Sequence, residues 1–311
     1  MMKKIQYLSR LLALLAGAFW LTAYGSDEYT SFTTQGTPVE FRATIAGDVP
    51  DAATRSTVDN SFEEGDEISL TIEDNNPAVY RYVGGRFVVL NPDEAFYWNI
   101  DAQPFLMHVA ALYPTTNAAK FFNQEVVEHY VEPNQDTDDG YKKSDLLYAF
   151  HKRILSNDEI LKFNHVMAKI VINIRQGGYT GNTDPSSVTL HGLNQAVGLK
   201  YLRGASIQMY PKEETADITT HKAATPAAGM VATFEALVIP SQTLASGTKF
   251  ATIRVNDTYK DFIYNLNKDI TLAQGTQYTF NLTLTSQQTV TVDEITQGNW
   301  GNGGSYDLST Q

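Results

Sequence analysis

Apolar and polar residues alternate from Val39 to Ala46. Val39, Phe41, Ala43 and Ile45 fall on one side, and Glu40, Arg42 and Thr44 on the other. Period two is the signature of a half-buried strand. The residues that follow, Gly47 to Thr54, include glycine, proline and two aspartates and predict an exposed loop. Arg55 ends that loop. Exposed loop tips are where proteases cut, so one cut at Arg55 would sever the strand Val39 to Ala46 from everything after it.

The same period recurs downstream. Ile68, Leu70 and Ile72 alternate with Ser69 and Thr71 within Glu67 to Glu73. Tyr80 to Val83 and Arg86 to Leu90 flank Gly84-Gly85, a hairpin signature. Phe105 to Tyr113 is almost continuously apolar and suits a strand buried on both faces; His108 inside it reads as a hydrogen-bonded core residue. Asn117 to Phe122 predicts one short helical turn. Asn134 to Lys143 reads as a solvated acidic loop, since the spacing of its acidic residues does not fit a calcium loop. Ser144 to Phe150 begins another strand, and the polar stretch Ser156 to Lys162 reads as one helical turn at a domain boundary. Val166, Ala168, Ile170, Ile172 and Ile174 then share one face. Further strands are expected over Val188 to Leu193, Thr233 to Ile239, Ala251 to Val255, Phe262 to Leu266, Tyr278 to Leu284 and Thr289 to Ile295, with irregular loops over Asn194 to Ala228. Short strands at turn-bounded intervals, without a long amphipathic helix, predict an all-β protein. Its 311 residues suit two β-sandwich domains in tandem, 38–160 and 161–311.

The first residues change the picture of where the protein works. Lys3, Lys4 and Arg10 precede and flank the 11-residue apolar run Leu11 to Leu21, and small residues follow at Ala23 and Gly25. This is the layout of a secretory signal peptide over residues 1–23, leaving a polar tether at 24–37. Leu21-Thr22-Ala23 is the run that precedes a lipid-bearing cysteine in bacterial lipoprotein signals. The next residue here is Tyr24, which cannot carry a thioether lipid, and the chain has no cysteine. Without thiols there are no disulfides and no thiolate metal sites, so the fold rests on its apolar core. The formal net charge of −12, more negative still once the leader's lysines and arginine are removed, argues against a nucleic-acid partner. No catalytic motif is present, the six histidines lack ligand spacing, and no cofactor or metal is expected. The chain does not read as an enzyme.

Several segments, in order, resemble the fimbrillin family of Bacteroidetes, the subunits of type V pili. They are the leader ending LTA, VEFRATI, Thr54-Arg55, FEEGDEISL (Phe62 to Leu70), HVAALYP (His108 to Pro114), SDLLYA (Ser144 to Ala149), FNHVMAKIVINI (Phe163 to Ile174), LVIPSQ (Leu237 to Gln242), LAQGTQYTFNLTL (Leu272 to Leu284), and Trp300 with a Gly-rich tail. The resemblance implies two transthyretin-like β-sandwich domains and export to the outer membrane surface. It also implies an Arg-specific protease acting at Arg55, release of strand Val39 to Ala46, and replacement of that strand by one from another fimbrial subunit. The candidate donor is Thr289 to Gln311, and the expected role is adhesion in a fimbrium. The alternative is a surface glycan-binding β-sandwich lipoprotein, for which the 17 tyrosines and 3 tryptophans would supply stacking surfaces.

Overall fold

A computed structural model describes residues 37–46, 61–73, 75–98, 107–154, 159–180, 184–202, 206–255, 260–285, 289–300 and 305–307. Tyr24 and Arg55 lie outside the described residues. The first half contributes β1 (Arg42–Ile45), β2 (Glu67–Ile72), β3 (Ala78–Val83), β4 (Arg86–Val89), β5 (Met107–Tyr113), β6 (Val127–Tyr130), β7 (Leu147–Ile154) and β8 (Ile160–His165), with short helices α1 (Ala118–Phe122) and α2 (Asp138–Lys143). The second half contributes β9 (Ala168–Gln176), β10 (Pro185–Asn194), β11 (Ala196–Leu202), β12 (Ser206–Pro211), β13 (Thr215–Thr219), β14 (His221–Lys222), β15 (Ala232–Val238), β16 (Thr243–Leu244), β17 (Lys249–Val255), β18 (Lys260–Asn265), β19 (Ile270–Thr271), β20 (Thr276–Leu284), β21 (Val290–Asn299) and β22 (Ser305–Asp307). The protein is all-β, as its alternation predicts.

One sheet of seven strands carries the first half, in the order β1-β8-β7-β5-β2-β3-β4. Gly84 and Gly85 take φ of 58° and 86°, the positive values that a tight β3–β4 hairpin requires. The central strands β2, β5 and β7 are buried on both faces: Ser69 and Thr71 are as enclosed as Ile68 and Leu70. One face holds a core that includes Phe41, Tyr80, Phe87, Val109, Ala149 and Phe163. The other face, through Ala110, Leu112 and Tyr148, joins a second core that runs on through β9, β15, β17 and β20. There Phe121 of α1 lies 6.3 Å from Tyr148 and 5.6 Å from Tyr201, centroid to centroid. The second half is built on a six-stranded sheet, β14-β15-β9-β20-β21-β22, and a four-stranded sheet, β13-β10-β17-β18. Residues 38–311 group as one compact unit.

Four local expectations are corrected. His108 is not a core residue; its side chain is 53% exposed beside Glu73, because β5 begins there at the rim of its sheet. Ile160 to Lys162 is not helical but the start of β8, which pairs with β1. The stretch Asn194 to Ala228 is not irregular: it holds β11 to β14. β11 is buried along almost its whole length, so no alternation shows, and it pairs with β6 from far upstream.

The fourth correction concerns Asn134 to Lys143. Part of it is α2, capped by the Thr137 hydroxyl accepting from Gly140 N–H at 3.1 Å, with Asp138 and Asp139 in the first turn and Lys142 and Lys143 in the last. A side chain at Gly140 would collide with the Asn134 carbonyl. Gln135, fully buried, donates to Leu237 O at 2.8 Å and accepts from Leu237 N–H at 2.8 Å. A single amide thus replaces a strand partner along β15. Gln135→Ala leaves two buried main-chain groups unpaired and should cost about 2–4 kcal/mol. Thermal unfolding should report it as a lowered Tm, with the exposed neighbour Asp136→Ala within about 0.5 kcal/mol of wild type.

Candidate assembly site

The segment Pro38 to Ala46 is tied to both edges of the first sheet. Its leading half lies against the β4 side. Val39 N–H donates to Phe96 O at 2.8 Å, and Phe41 and Phe87 exchange both main-chain bonds, at 3.2 and 2.7 Å. Its trailing half crosses to the opposite edge and runs parallel to β8, from Arg42↔Ile160 to Ile45↔Phe163, ending with Ala46 N–H on Phe163 O at 2.6 Å. One segment therefore seals the two edge strands of a sheet that would otherwise stand open at both sides. The predicted alternation is the reason it fits. Val39, Phe41 and Ile45 are fully buried, Ala43 packs against the same core, and Arg42 faces solvent.

The floor beneath this segment belongs to residues after Arg55. Phe62 makes edge-on contacts with Phe87 at 4.9 Å, Phe163 at 5.0 Å and Tyr113 at 6.1 Å. The turn carrying it is held to α2 by Lys142, whose ammonium lies 2.9 Å from both Glu63 and Asp66. Burial works against charge on Lys142, yet the two carboxylates outweigh it and hold the amine above its ordinary value. Phe62 and its turn are thereby anchored to the body independently of β1.

The far end of the segment meets the end of the carboxyl-terminal strands. Ala46, His165, Gly275 and Trp300 line one cavity of about 430 Å³. Trp300 is buried, its indole stacked on the His165 ring at 3.4 Å and 11°. The Trp300 main-chain N–H donates to Gly275 O at 2.9 Å, and Gly275 N–H to Met167 O at 3.0 Å. Beneath the stack His165 Nδ1 lies 3.1 Å from Asp145 Oδ1, both side chains enclosed. Lys169 lies 5.7 Å from the indole centroid, within cation–π range, and 2.9 Å from Glu235. Burial pushes Glu235 upward, but Lys169 and the Tyr141 hydroxyl, at 2.9 Å, hold its carboxyl below the ordinary range.

Of the expected donor Thr289 to Gln311, β21 is in its own sheet, antiparallel to β20 from Thr276↔Asn299 to Leu284↔Val290. Ser305–Asp307 pairs in turn with β21. The structure thus brings together the end of the first strand and the root of the carboxyl-terminal tail, a proximity with no sequence signal beyond the tryptophan itself. Among the described residues no group of histidines and carboxylates could hold a metal, and no helix is long and apolar enough to cross a membrane.

The body is all-β, its first strand seals two sheet edges, and Trp300 past β21 lies beside the end of that strand. A family model described as fimbrillin-like matches residues 54–300, and the chain belongs to that family, a family of fimbrial structural proteins rather than enzymes. The match begins at Thr54, one residue before Arg55. Among solved structures the chain is similar to a putative cell adhesion protein from Bacteroides ovatus, at 21% identity and TM-score 0.62 over 84% of this chain and 97% of that one. It is also similar to one from Bacteroides uniformis, at 20% identity and TM-score 0.60 over 85% and 98%. At these identities the likeness is one of fold. No curated protein matches the chain.

Two measurements check the energetics. Phe41→Ala should lower stability by about 3–5 kcal/mol, whereas Arg42→Ala, on the same strand but facing solvent, should stay within about 0.5 kcal/mol; urea midpoints compare them. Because the folded value of Glu235 lies below its unfolded value, about 4.3, its contribution is present above the unfolded value and is lost as pH falls through the folded one. Glu235→Gln should therefore be less stable at neutral pH and show a shallower loss of stability on acidification.

Proposed function

We propose that the protein is a structural subunit of type V fimbriae, made as an exported precursor and activated by one proteolytic cut after Arg55. It is read as two β-sandwich domains, and it acts in adhesion at the outer surface of the cell. The observation that carries the reading is the double role of Pro38 to Ala46, which closes both edges of the first sheet. Cut at Arg55, this segment keeps no covalent link to the body. Its departure leaves the main-chain groups of Phe87, Phe96 and Phe163 without their partners and three apolar sites empty. Both losses favour entry of another extended strand with apolar residues at alternate positions.

The occupant is the carboxyl-terminal segment of a neighbouring subunit. β21 is needed by its own sheet and Trp300 is buried, so the exchanging portion is taken to start past Trp300, with Ser305–Asp307 giving up its short pairing with β21. Tyr306 and Leu308 there stand at alternate positions. Partners are accordingly other fimbrial subunits and an Arg-specific protease, and the outer membrane is the site of assembly.

The test is N-terminal sequencing of the protein treated with an Arg-specific protease and then incubated at high concentration. A new terminus at Ser56, followed by polymers that Arg55→Ala does not form, is the expected result. A loop that resists cleavage, or cleavage without any strand release, overturns the reading.

A further inference from the structure

A second concavity lies away from the first strand, between α1, α2 and β6. It is a cleft of about 750 Å³, within the roughly 300–1,000 Å³ of small-molecule sites. Its floor is apolar, with Leu112, Leu146 and Leu199. Its wall carries equal numbers of opposite charges, Lys120, Lys142 and Lys143 against Glu128, Glu132 and Asp139. At its rim stand Tyr130, 48% exposed, and Val126, 54% exposed, two of the large apolar side chains that this protein leaves most open to solvent.

Two features make this more than a surface dent. The first is that the Tyr130 ring is held in place before anything binds. Its hydroxyl donates to Glu128 Oε2 at 2.6 Å, and Glu128 Oε1 is held in turn by Lys212 at 3.0 Å. A half-exposed aromatic face fixed in this way loses little freedom when a flat ligand lies on it.

The second is the free edge of β6, the last strand in the order β12-β11-β6. Val131 N–H donates to Gln195 O at 3.0 Å, and the antiparallel register runs from Tyr130↔Ala196 to Val127↔Leu199. Alternate residues of such a ladder are bonded pairs. His129 and Val127 therefore turn their main chain to β11, and Glu128 and Tyr130 turn theirs outward. The edge adds main-chain donors and acceptors to a wall that already holds ammonium donors and carboxylate acceptors.

We propose that this cleft binds a short neutral oligosaccharide, with Tyr130 as the stacking surface. A sugar hydroxyl is both donor and acceptor, so it can pair with lysines, carboxylates and a strand edge without leaving either sign of charge buried and unmatched. Most of the wall's charges are already paired, Lys143 with Asp139, Lys142 with Glu63 and Asp66, and Glu128 with Lys212, so a charged ligand would compete with an ion pair that a neutral one leaves intact. An extended peptide also carries both kinds of group, but β6 offers it only two outward residues. The inference rests on the adhesive reading for its biological sense, while its lining residues are distinct from those that hold the first strand.

The experiment is an amide-shift titration of the isotope-labelled full-length chain with lactose, maltose and N,N′-diacetylchitobiose, with 3′-sialyllactose and tetra-alanine as comparators. Saturable shifts confined to the cleft with at least one neutral disaccharide, in the millimolar range expected of small ligands, are the expected result. Tyr130→Ala should weaken that binding about tenfold and Tyr130→Trp should restore it. Tyr210→Ala, an exposed tyrosine of β12 outside the cleft, should leave binding unchanged, and circular dichroism on each variant checks the fold. No shift with any neutral disaccharide, a response to sialyllactose or the peptide alone, or full binding by Tyr130→Ala overturns the proposal. None of these outcomes bears on cleavage at Arg55, so the two readings fail separately.

Discussion

The closure of the first sheet depends on a strand that belongs to two edges at once. The exchange of main-chain bonds between Phe41 and Phe87, and the parallel ladder from Arg42↔Ile160 to Ile45↔Phe163, close a sheet whose other strands are connected in ordinary ways. An edge strand in a sheet normally satisfies one neighbour and leaves its other side to water. Here the same eight residues satisfy two, and place Phe41 beneath Tyr80 at 6.3 Å while doing so. Their contribution is therefore out of proportion to their number.

The two halves are joined by main-chain pairing and by side chains rather than through a shared hairpin. β6 pairs with β11 across the midpoint of the chain, Gln135 bonds to the main chain of β15, and Trp300 lies on His165 at the end of β8. Each contact ties a segment of the first half to one of the second. None of the three involves a residue of β1.

Legibility in the sequence followed the range of the interaction. Alternation identified Val39 to Ala46, β2, the β3–β4 hairpin, β9, β15 and β20, because apolar residues recur there at period two even where polar residues on the opposite face are also buried, as Ser69 and Thr71 are. It failed at β11 to β14, where burial is two-sided or the partner is far away. It was missed at Ile160 to Lys162, where Leu161 and Phe163 alternate with exposed residues but follow a polar stretch that reads as a helical turn. The acidic run at 134–143 looked solvated because its buried anchor is a polar residue, Gln135, and nothing local says that an amide will be enclosed. Of the assembly site, the first strand was visible and its second edge was not. Neither was the stack of Trp300 on His165, since residues 135 positions apart share no pattern.

The cavity shared by Ala46, His165, Gly275 and Trp300 has a mechanical consequence. In a filament joined by strand exchange, tension would enter each subunit through the strand lying on β8 and leave through the tail rooted at Trp300. Those two points face each other across one small cavity. The load path through a subunit would then be a few residues long, from β8 through the ring stack to the end of β21, and the nine-residue seam between β20 and β21 would act as its anchor. The rest of the body, including α1, α2 and β6, would hang beside the line of force and keep its shape while the filament is pulled.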